Sequence, residues 1–338
     1  MDPTDEPLRI GLLGAARISA EAICAPAAAT GDRLVAVAAR DRSRAERFAT
    51  EHGVERVVDD YAALLADSGV EVVYNPLANA LHGPWNLAAV RAGKHVLSEK
   101  PFASNAAEAR EVAAAARAAG VSVVEGFHHV HHPVHRRLLE LAGSGELGRI
   151  VRVETVFRMP PPPETDPRWS LDLAGGALMD LGCYALHVQR SLGPLLGGEP
   201  TVVSARARER TPGVDSAVTA ELAFPSGATG RAHCDMAADG WTVTARVVGD
   251  RGAVTACNVV LPTRDDRILV ETGGRPRTEH LGTRPTYTFQ LEALRAHLRT
   301  GAPFPVDLDD ALATAELIDA VYRYAGLEPR PRREPATR

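Results

Sequence analysis

Across residues 1–125, short apolar runs alternate with stretches of helical pattern. That rhythm restricts the chain to a parallel sheet covered on both faces by helices. Strands are expected at Leu8–Leu13, Arg33–Ala39, Arg56–Val58, Val70–Tyr74, Lys94–Leu97 and Val121–Glu125. The run RLVAVAA at Arg33–Ala39 is apolar without alternation, as in a strand buried on both sides. Between the strands fall an Ala-rich helix ending near Ala29 and helices at Ser43–His52, Tyr61–Asp67, Gly83–Ala92 and Asn105–Ala119. Ser43 followed by Glu46 reads as a capping box, and Gly93 and Gly120 read as helix stops.

After residue 126 the rhythm changes. A helix (Pro133–Ala142), a strand (Ile150–Arg158), an exposed proline run (Pro160–Pro163) and a helix near Leu178–Leu192 come first. Strand-like runs from Thr201 to Val270 then follow one another with turn residues between them and no crossover helices, which predicts a largely antiparallel sheet. Helices at Tyr287–Arg299 and Asp307–Tyr324 close the pattern. The expected organisation is a dinucleotide-binding domain at 1–126, an α+β domain at 127–326 for substrate binding and oligomerisation, and a flexible tail at 327–338, where PRPRREPATR is proline-rich and charged.

With 338 residues the chain is long enough for two cored domains. Its net charge of −5 argues against nucleic acid as a partner. No run reaches the ~20 apolar residues that span a bilayer, and the acidic start MDPTDEP lacks the apolar segment of a signal peptide; a cytoplasmic location is the expectation. Cys24, Cys183, Cys234 and Cys257 are far apart and suggest neither a disulfide framework nor a zinc site.

Cation usage is more informative. Lys94 and Lys100 are the only lysines; every other one of the 38 basic residues is Arg. Lys adjusts its pKa where Arg does not, so a lysine among arginines points to a position where that property is useful; nucleotide composition and chance are the alternative reading. The turn after the first strand would set a GxGxxG fingerprint on Gly14, Ala16 and Ser19, with Arg17 and Ile18 between. One glycine in three leaves two readings open, a pyrophosphate turn and an ordinary strand-to-helix turn. At the end of the second strand, where NAD enzymes carry an acidic residue, the first polar residue is Arg40, followed by Arg42 and Arg44. An arginine there takes a 2′-phosphate, which favours NADP(H) with NAD(H) still possible. Asp41 would face the ribose after a small shift of register, and the alternative for the arginines is a solvated basic helix start.

Three stretches go further: YNPLANALH (Tyr74–His82), GKHVLSEKP (Gly93–Pro101) and GGALMDLGCYALH (Gly175–His187). Together with Glu125–Phe127, His132-Pro133 and the closing segment Asp310–Gly326, they resemble the glucose–fructose oxidoreductase / inositol dehydrogenase / MocA family over nearly the whole chain. A tyrosine at 184 is similar to the subgroup containing dimeric dihydrodiol dehydrogenase and NADP-dependent xylose dehydrogenase. The resemblance implies an α/β fold: an N-terminal Rossmann domain, a C-terminal α+β domain built on a largely antiparallel open sheet, and an active site between them. It implies catalysis by Lys100, Asp180 and Tyr184. Cofactor contacts would come from Gly14, Ala16, Arg17, Ile18, Arg40, Leu77, Asn79, His82, Glu99 and Lys100. His129, Arg168, Trp169 and His187 would line the substrate, and the assembly would be a homodimer or homotetramer.

The chemistry is consistent with those roles. Asp180 and Tyr184 are four apart, so a helix puts them on one face. A nearby ammonium draws a tyrosine hydroxyl, normally near 10, toward neutrality. Tyr184 would then exchange a proton with a secondary alcohol or ketone of a sugar, polyol or cyclic diol. The alternatives are a core aromatic for Tyr184 and a satisfied helix-start histidine for His82. At the level of activity, the competing readings are an NAD-dependent glycosidase working through transient oxidation and a cofactor-binding regulator without turnover.

His128, His129, His131, His132 and His135 crowd into eight residues. His131 and His135 have a metal-ligand spacing, but no HExxH is present and Pro133 interrupts the helical phase. A structural or substrate-lining role is favoured, and no metal is expected. The family carries an aromatic–Arg pair here, from which His129-Val130 departs.

Overall fold

A computed structural model describes residues 6–333. It resolves into two compact units: 6–127 with 287–313 and 332–333, and 128–286 with 314–331.

In the first unit, strands β1 (Arg9–Leu13), β2 (Arg33–Ala38), β3 (Val72–Asn75), β4 (His95–Ser98) and β5 (Val123–Glu125) form one parallel sheet in the order β2-β1-β3-β4-β5. Their side chains are almost all buried, which is why they read as unbroken apolar runs. The expected strand at Arg56–Val58 shrinks to a single bridge between Val37 and Val57, so the sheet has five strands. Connecting helices are α1 (Ala25–Thr30), entered through a π turn at Ala20–Cys24, then α2 (Arg42–His52), α3 (Tyr61–Ala66), α4 (His82–Arg91) and α5 (Ala106–Ala119). Helix α2 is capped by Asp41, whose carboxylate accepts from the Arg44 amide at 3.2 Å, and not by Ser43. The strand order reverses between β1 and β3, and in such sheets the crevice beyond the strand C-termini at that point is where ligands bind.

The second unit is built on an eight-stranded sheet. Its strands are β6 (Ile150–Arg158), β7 (Thr201–Thr211), β8 (Val214–Ala223), β9 (Thr229–Asp235), β10 (Thr242–Gly249), β11 (Gly252–Ala256), β12 (Arg267–Thr272) and β13 (Arg277–His280). The order is β13-β12-β11-β10-β6-β9-β8-β7, antiparallel except for the β6–β9 pair. Helix α6 (Pro133–Gly143) packs on β11 and β12, while α7 (Cys183–Ser191), which continues a π turn at Leu178–Gly182, packs on β6 and β9. Helix α7 is fastened to the sheet by polar bonds. Thr155 donates to the Ala185 carbonyl at 3.1 Å, and the Gln189 amide donates to the Val153 and Arg231 carbonyls.

Two expectations need correction. The segment 287–313, which contains most of helix α8 (Thr286–Thr300), belongs with the first unit and not with an uninterrupted domain from 127 to 326. Arg295 explains part of this, donating to the Thr30 carbonyl at 2.9 Å and to Asp32 at 3.2 Å, and Arg299 pairs with Glu71. The second correction concerns the tail. Helix α9 (Leu308–Tyr324) leads into a segment in which Arg330 is 1% exposed and bonded to Asp215 and to the Gly175 and Gly213 carbonyls. The flexible reading therefore fails at 327–331, and residues 334–338 lie outside the described residues.

Candidate functional site

At the C-terminal end of β1 the chain turns through Gly14 at φ +88°, a conformation that favours glycine. A Cβ there would also meet Leu77 at 3.1 Å, so Leu77 lies directly over the turn. The Gly14 amide donates to the Ala38 carbonyl at 2.7 Å, tying the turn to the end of β2. Ala16 is partly buried, Arg17 and Ile18 are exposed, and Ser19, at the third fingerprint position, is fully buried.

The three arginines after β2 separate by partner. Arg42 is taken up by Glu46 and Asp59. Arg44 reaches back over the turn, its Nη2 donating to the Ala15 carbonyl at 2.7 Å. Arg40 is exposed, and the positive charges of Arg40 and Arg44 both act on the Tyr61 hydroxyl, which burial nevertheless pushes up. Tyr61 sits edge-on to Trp85 with ring centres 4.8 Å apart. Asp41 is engaged as the α2 cap, with Ser43 donating to it at 2.7 Å; its carboxylate is held low by that bond and by the Arg44 amide. Arg44 belongs to the basic run that the sequence shows after the second strand, whereas nothing in the sequence points to Tyr61.

The lysines divide as well. Lys94 is structural, its ammonium donating to the Asp67 and Val70 carbonyls at 2.7 and 2.8 Å. Lys100 follows β4 and precedes Pro101 across a cis peptide. A buried amide network supports that segment. Asn75 donates to Asn86 (2.8 Å) and to the His82 carbonyl, while Asn86 donates to Ser98 (2.9 Å) and to the Phe102 carbonyl. Sequence reading missed Asn75 and Asn86, whose polarity inside apolar surroundings is the trace they leave.

Glu99 is buried and accepts from the Tyr74 hydroxyl at 2.9 Å. His82 is buried with Nδ1 2.7 Å from the Pro101 carbonyl and Nε2 2.8 Å from the Leu77 carbonyl. Burial lowers its pKa to about 4 against the pull of both carbonyls. The ring thus bridges the turn over Gly14 and the Lys100–Pro101 segment, and one of its two contacts is the N–H donation that a neutral imidazole allows. Asn79 opens the short helical turn Asn79–Leu81 just before it.

In the second unit, Tyr184 lies in the first turn of α7, 6% exposed and parallel to Phe157 with ring centres 6.2 Å apart. Its hydroxyl is 3.0 Å from His128 Nε2. Asp180 lies within the preceding π turn and pairs with Arg168 at 3.6 Å. Arg168 is held in turn by Asp166 at 3.5 Å. Trp169 is buried, its indole donating to the Pro162 carbonyl at 3.2 Å, and the Arg210 guanidinium stacks on it.

The histidine-rich segment forms a short helical turn, His128–His131, with His132 capping α6. Pro133 starts a new helix, so His131 and His135 do not share one helical face. His129 packs edge-on against His135, His187 and Tyr184 at 5.0, 5.2 and 5.5 Å. Burial lowers His131 to about 4 and His135 to about 3, and pushes His129 far below the ordinary imidazole range. These rings are neutral near pH 7. Among the described residues no group of three or more His, Cys, Asp or Glu is arranged to hold a metal ion, and no helix is long and apolar enough to cross a membrane.

Residues 8–127 match the family described as "Oxidoreductase family, NAD-binding Rossmann fold", and residues 135–255 match "GFO/IDH/MocA C-terminal domain". The chain is 35% identical to a D-xylose 1-dehydrogenase (NADP(+)) of Haloferax volcanii, over 94% of this chain and 97% of that one. It is 35% identical to the mouse trans-1,2-dihydrobenzene-1,2-diol dehydrogenase over 72% and 71% of the two chains. Among solved structures, a 3-ketoreductase from Actinomadura kijaniata in complex with NADP and TDP-benzene superposes with a TM-score of 0.86 at 31% identity, covering 94% of this chain and 97% of that one. With the five-stranded parallel sheet covered by the first match and most strands of the eight-stranded sheet by the second, the chain belongs to the Gfo/Idh/MocA family of oxidoreductases.

Proposed function

We propose that this protein is an NADP(H)-dependent oxidoreductase that interconverts a secondary alcohol and a ketone on a sugar, polyol or cyclic diol. The observation that carries the cofactor choice is the Arg44 guanidinium seated on the Ala15 carbonyl, with Arg40 close by and the Asp41 carboxylate committed to the α2 cap. The residues fit the cofactor: Gly14 turns the chain at positive φ directly after the first strand, where a dinucleotide's pyrophosphate would approach, and Arg40 and Arg44 carry the fork geometry that suits a 2′-phosphate. The D-xylose dehydrogenase and 3-ketoreductase relatives, both named with NADP, support the same reading.

NADPH supplies the hydride when bound. Gly14, Ala16, Arg17, Ile18, Leu77, Asn79, His82 and Glu99 would hold or shape its site. Tyr184 gives a proton to the ketone oxygen or takes one from the alcohol, and Lys100 contributes the positive charge that makes the phenolate accessible. Asp180, braced by Arg168, orients the substrate hydroxyl. His129, Arg168, Trp169 and His187 are read as substrate-lining residues. A homodimer or homotetramer forms part of the proposal, and light scattering on the eluted protein tests it.

The experiment is turnover of NADP+ with D-xylose, other sugars and polyols, and trans-1,2-dihydrobenzene-1,2-diol, for the wild type and Tyr184→Phe. The expected result is wild-type turnover within this panel and a loss of about two to four powers of ten in the variant, with cofactor binding near normal. Equal turnover by the variant removes Tyr184 from the chemistry. Release of a sugar leaving group without net change in nicotinamide absorbance replaces the proposal with the glycosidase reading.

A further inference from the structure

His128, Thr286 and Tyr184 come from three places in the chain, 158 and 56 residues from one another along the two bonds that join them. His128 Nδ1 is 2.7 Å from the Thr286 hydroxyl, and Nε2 is 3.0 Å from the Tyr184 hydroxyl. The exposures are 1%, 2% and 6% for His128, Thr286 and Tyr184, so both bonds form away from water. Each member is held by its own element: His128 by the 128–131 turn, Thr286 by the start of α8, and Tyr184 by a helix bonded to β6 through Thr155 and Gln189. The sequence signal was only a crowd of histidines at a place where the family carries other residues.

We propose that His128 is the positioning residue of Tyr184, a role that rests on the reading of Tyr184 as the acid/base. A neutral imidazole donates through one nitrogen and accepts through the other. In the tautomer we assign, Thr286 donates to Nδ1, which leaves the His128 proton on Nε2 to be donated to the Tyr184 oxygen. In that tautomer the bond to His128 does not use the tyrosine's own proton. Once Tyr184 has given up that proton, the same Nε2–H bond remains on the phenolate and stabilises it, because a donor to the charged form favours that form.

His128 and His129 of the 128–131 turn meet the Tyr184 ring, Asp180 and His187 lie on its own helical segment, and Lys100 is the cation that the proposed function assigns to its phenolate. Strand β6 presents the Phe157 ring. Strands β8 and β9 place Asp215 and Cys234 against the segment at Leu178 and Gly182. His129 meets the Tyr184 ring edge-on, whereas His128 reaches the hydroxyl itself through a ring nitrogen.

The test is NMR of protein carrying ¹³Cζ-tyrosine, with the Tyr184 signal identified by its loss in Tyr184→Phe and followed through a pH titration. In His128→Leu the ionisation midpoint of Tyr184 is expected to rise by about one pH unit or more. His128→Gln, whose amide can donate at the Nε2 position, should recover most of that change. Thr286→Val leaves the imidazole in place and removes the group that sets its tautomer, so it should move the midpoint in the same direction by less; it also serves if His128→Leu does not fold. A midpoint unmoved by both His128→Leu and Thr286→Val overturns the proposal, as does an equal rise in His128→Leu and His128→Gln. The midpoint needs no substrate, so failure of His128 is distinguishable from failure of Tyr184, which is read on turnover of Tyr184→Phe.

Discussion

The guanidinium of Arg330 is ion-paired with the carboxylate of Asp215 in the interior of the second unit, with 1% and 0% of the two side chains exposed. The other Asp215 oxygen accepts from the Leu178 amide at 2.7 Å, at the start of the segment that carries Asp180 and Tyr184. Gly176 makes room for the pair: at φ +126° it passes so close that a Cβ would collide with both groups. Arg330 also lies over the Tyr322 ring, its guanidinium carbon 4.1 Å from the ring centre. Breaking a buried pair by removing one partner costs about 3–5 kcal/mol, because the other charge is left uncompensated. Arg330→Ala should therefore lose that much stability in urea unfolding, and Arg330→Lys should lose less. A change under ~0.5 kcal/mol in Arg330→Ala would show that the C-terminal segment is an appendage.

The arginines at the dinucleotide turn make separable predictions. Arg44, and not Arg40, holds the turn's backbone, so Arg40→Ala should weaken NADPH by roughly 10- to 100-fold and leave NADH almost unchanged, the worth of one or two charge-assisted bonds. Arg44→Ala removes the bond to the Ala15 carbonyl as well and should weaken both cofactors, NADPH more. Arg42, occupied by Glu46 and Asp59, is the control and should be silent. Fluorescence titration of each variant with both cofactors measures this, and equal losses for NADPH and NADH in Arg40→Ala would mean that Arg40 does not read the phosphate.

Acid should unfold the protein by way of its buried histidines. His82 and His131 at about 4, His135 at about 3, and His129, which burial also holds well below the ordinary imidazole range, all refuse protons that the unfolded chain accepts near 6.5. Their folded pKa values are depressed, so stability is full above about 6.5 and falls steadily as pH drops toward 4. His135→Phe replaces one such ring with an apolar one of similar shape. Between pH 6 and 4 its stability should fall more gently than the wild type's, by about 1.4 kcal/mol per pH unit. Thermal melts across that range decide the matter, and parallel curves for the two proteins would contradict it.

The fold is legible where burial is continuous along the chain. Strands covered on both faces leave unbroken apolar runs, so β1, β2 and the βα rhythm can be read directly, and β6 falls on the expected residues. What cannot be read depends on partners far away in sequence. Arg330 sits in a proline-rich, charged stretch whose composition suggests disorder, yet its partner Asp215 lies 115 residues earlier. Helix α8 looks like any amphipathic helix until Arg295 and Arg299 find Asp32 and Glu71, more than two hundred residues earlier in the chain. The cap of α2 is ambiguous for a local reason. Asp41 and Ser43 are both good caps, and only the extended backbone of Asp41 decides between them. The motifs single out Lys100, Asp180 and Tyr184 as candidates, while the bond between His128 and Tyr184 has no sequence signature beyond the histidine count.

On the function proposed above, the Gly14 turn with Arg40 and Arg44 forms an NADP-type dinucleotide site. Calorimetric titration of the purified wild-type protein with NADPH and, separately, NADH tests it most directly, with denaturation and absorbance first confirming that no nucleotide is carried over. NADPH is expected to bind at least about 10-fold tighter than NADH, the worth of ~1.4 kcal/mol at the 2′-phosphate. Equal affinities, tighter NADH, or no binding of either to the empty protein would contradict it.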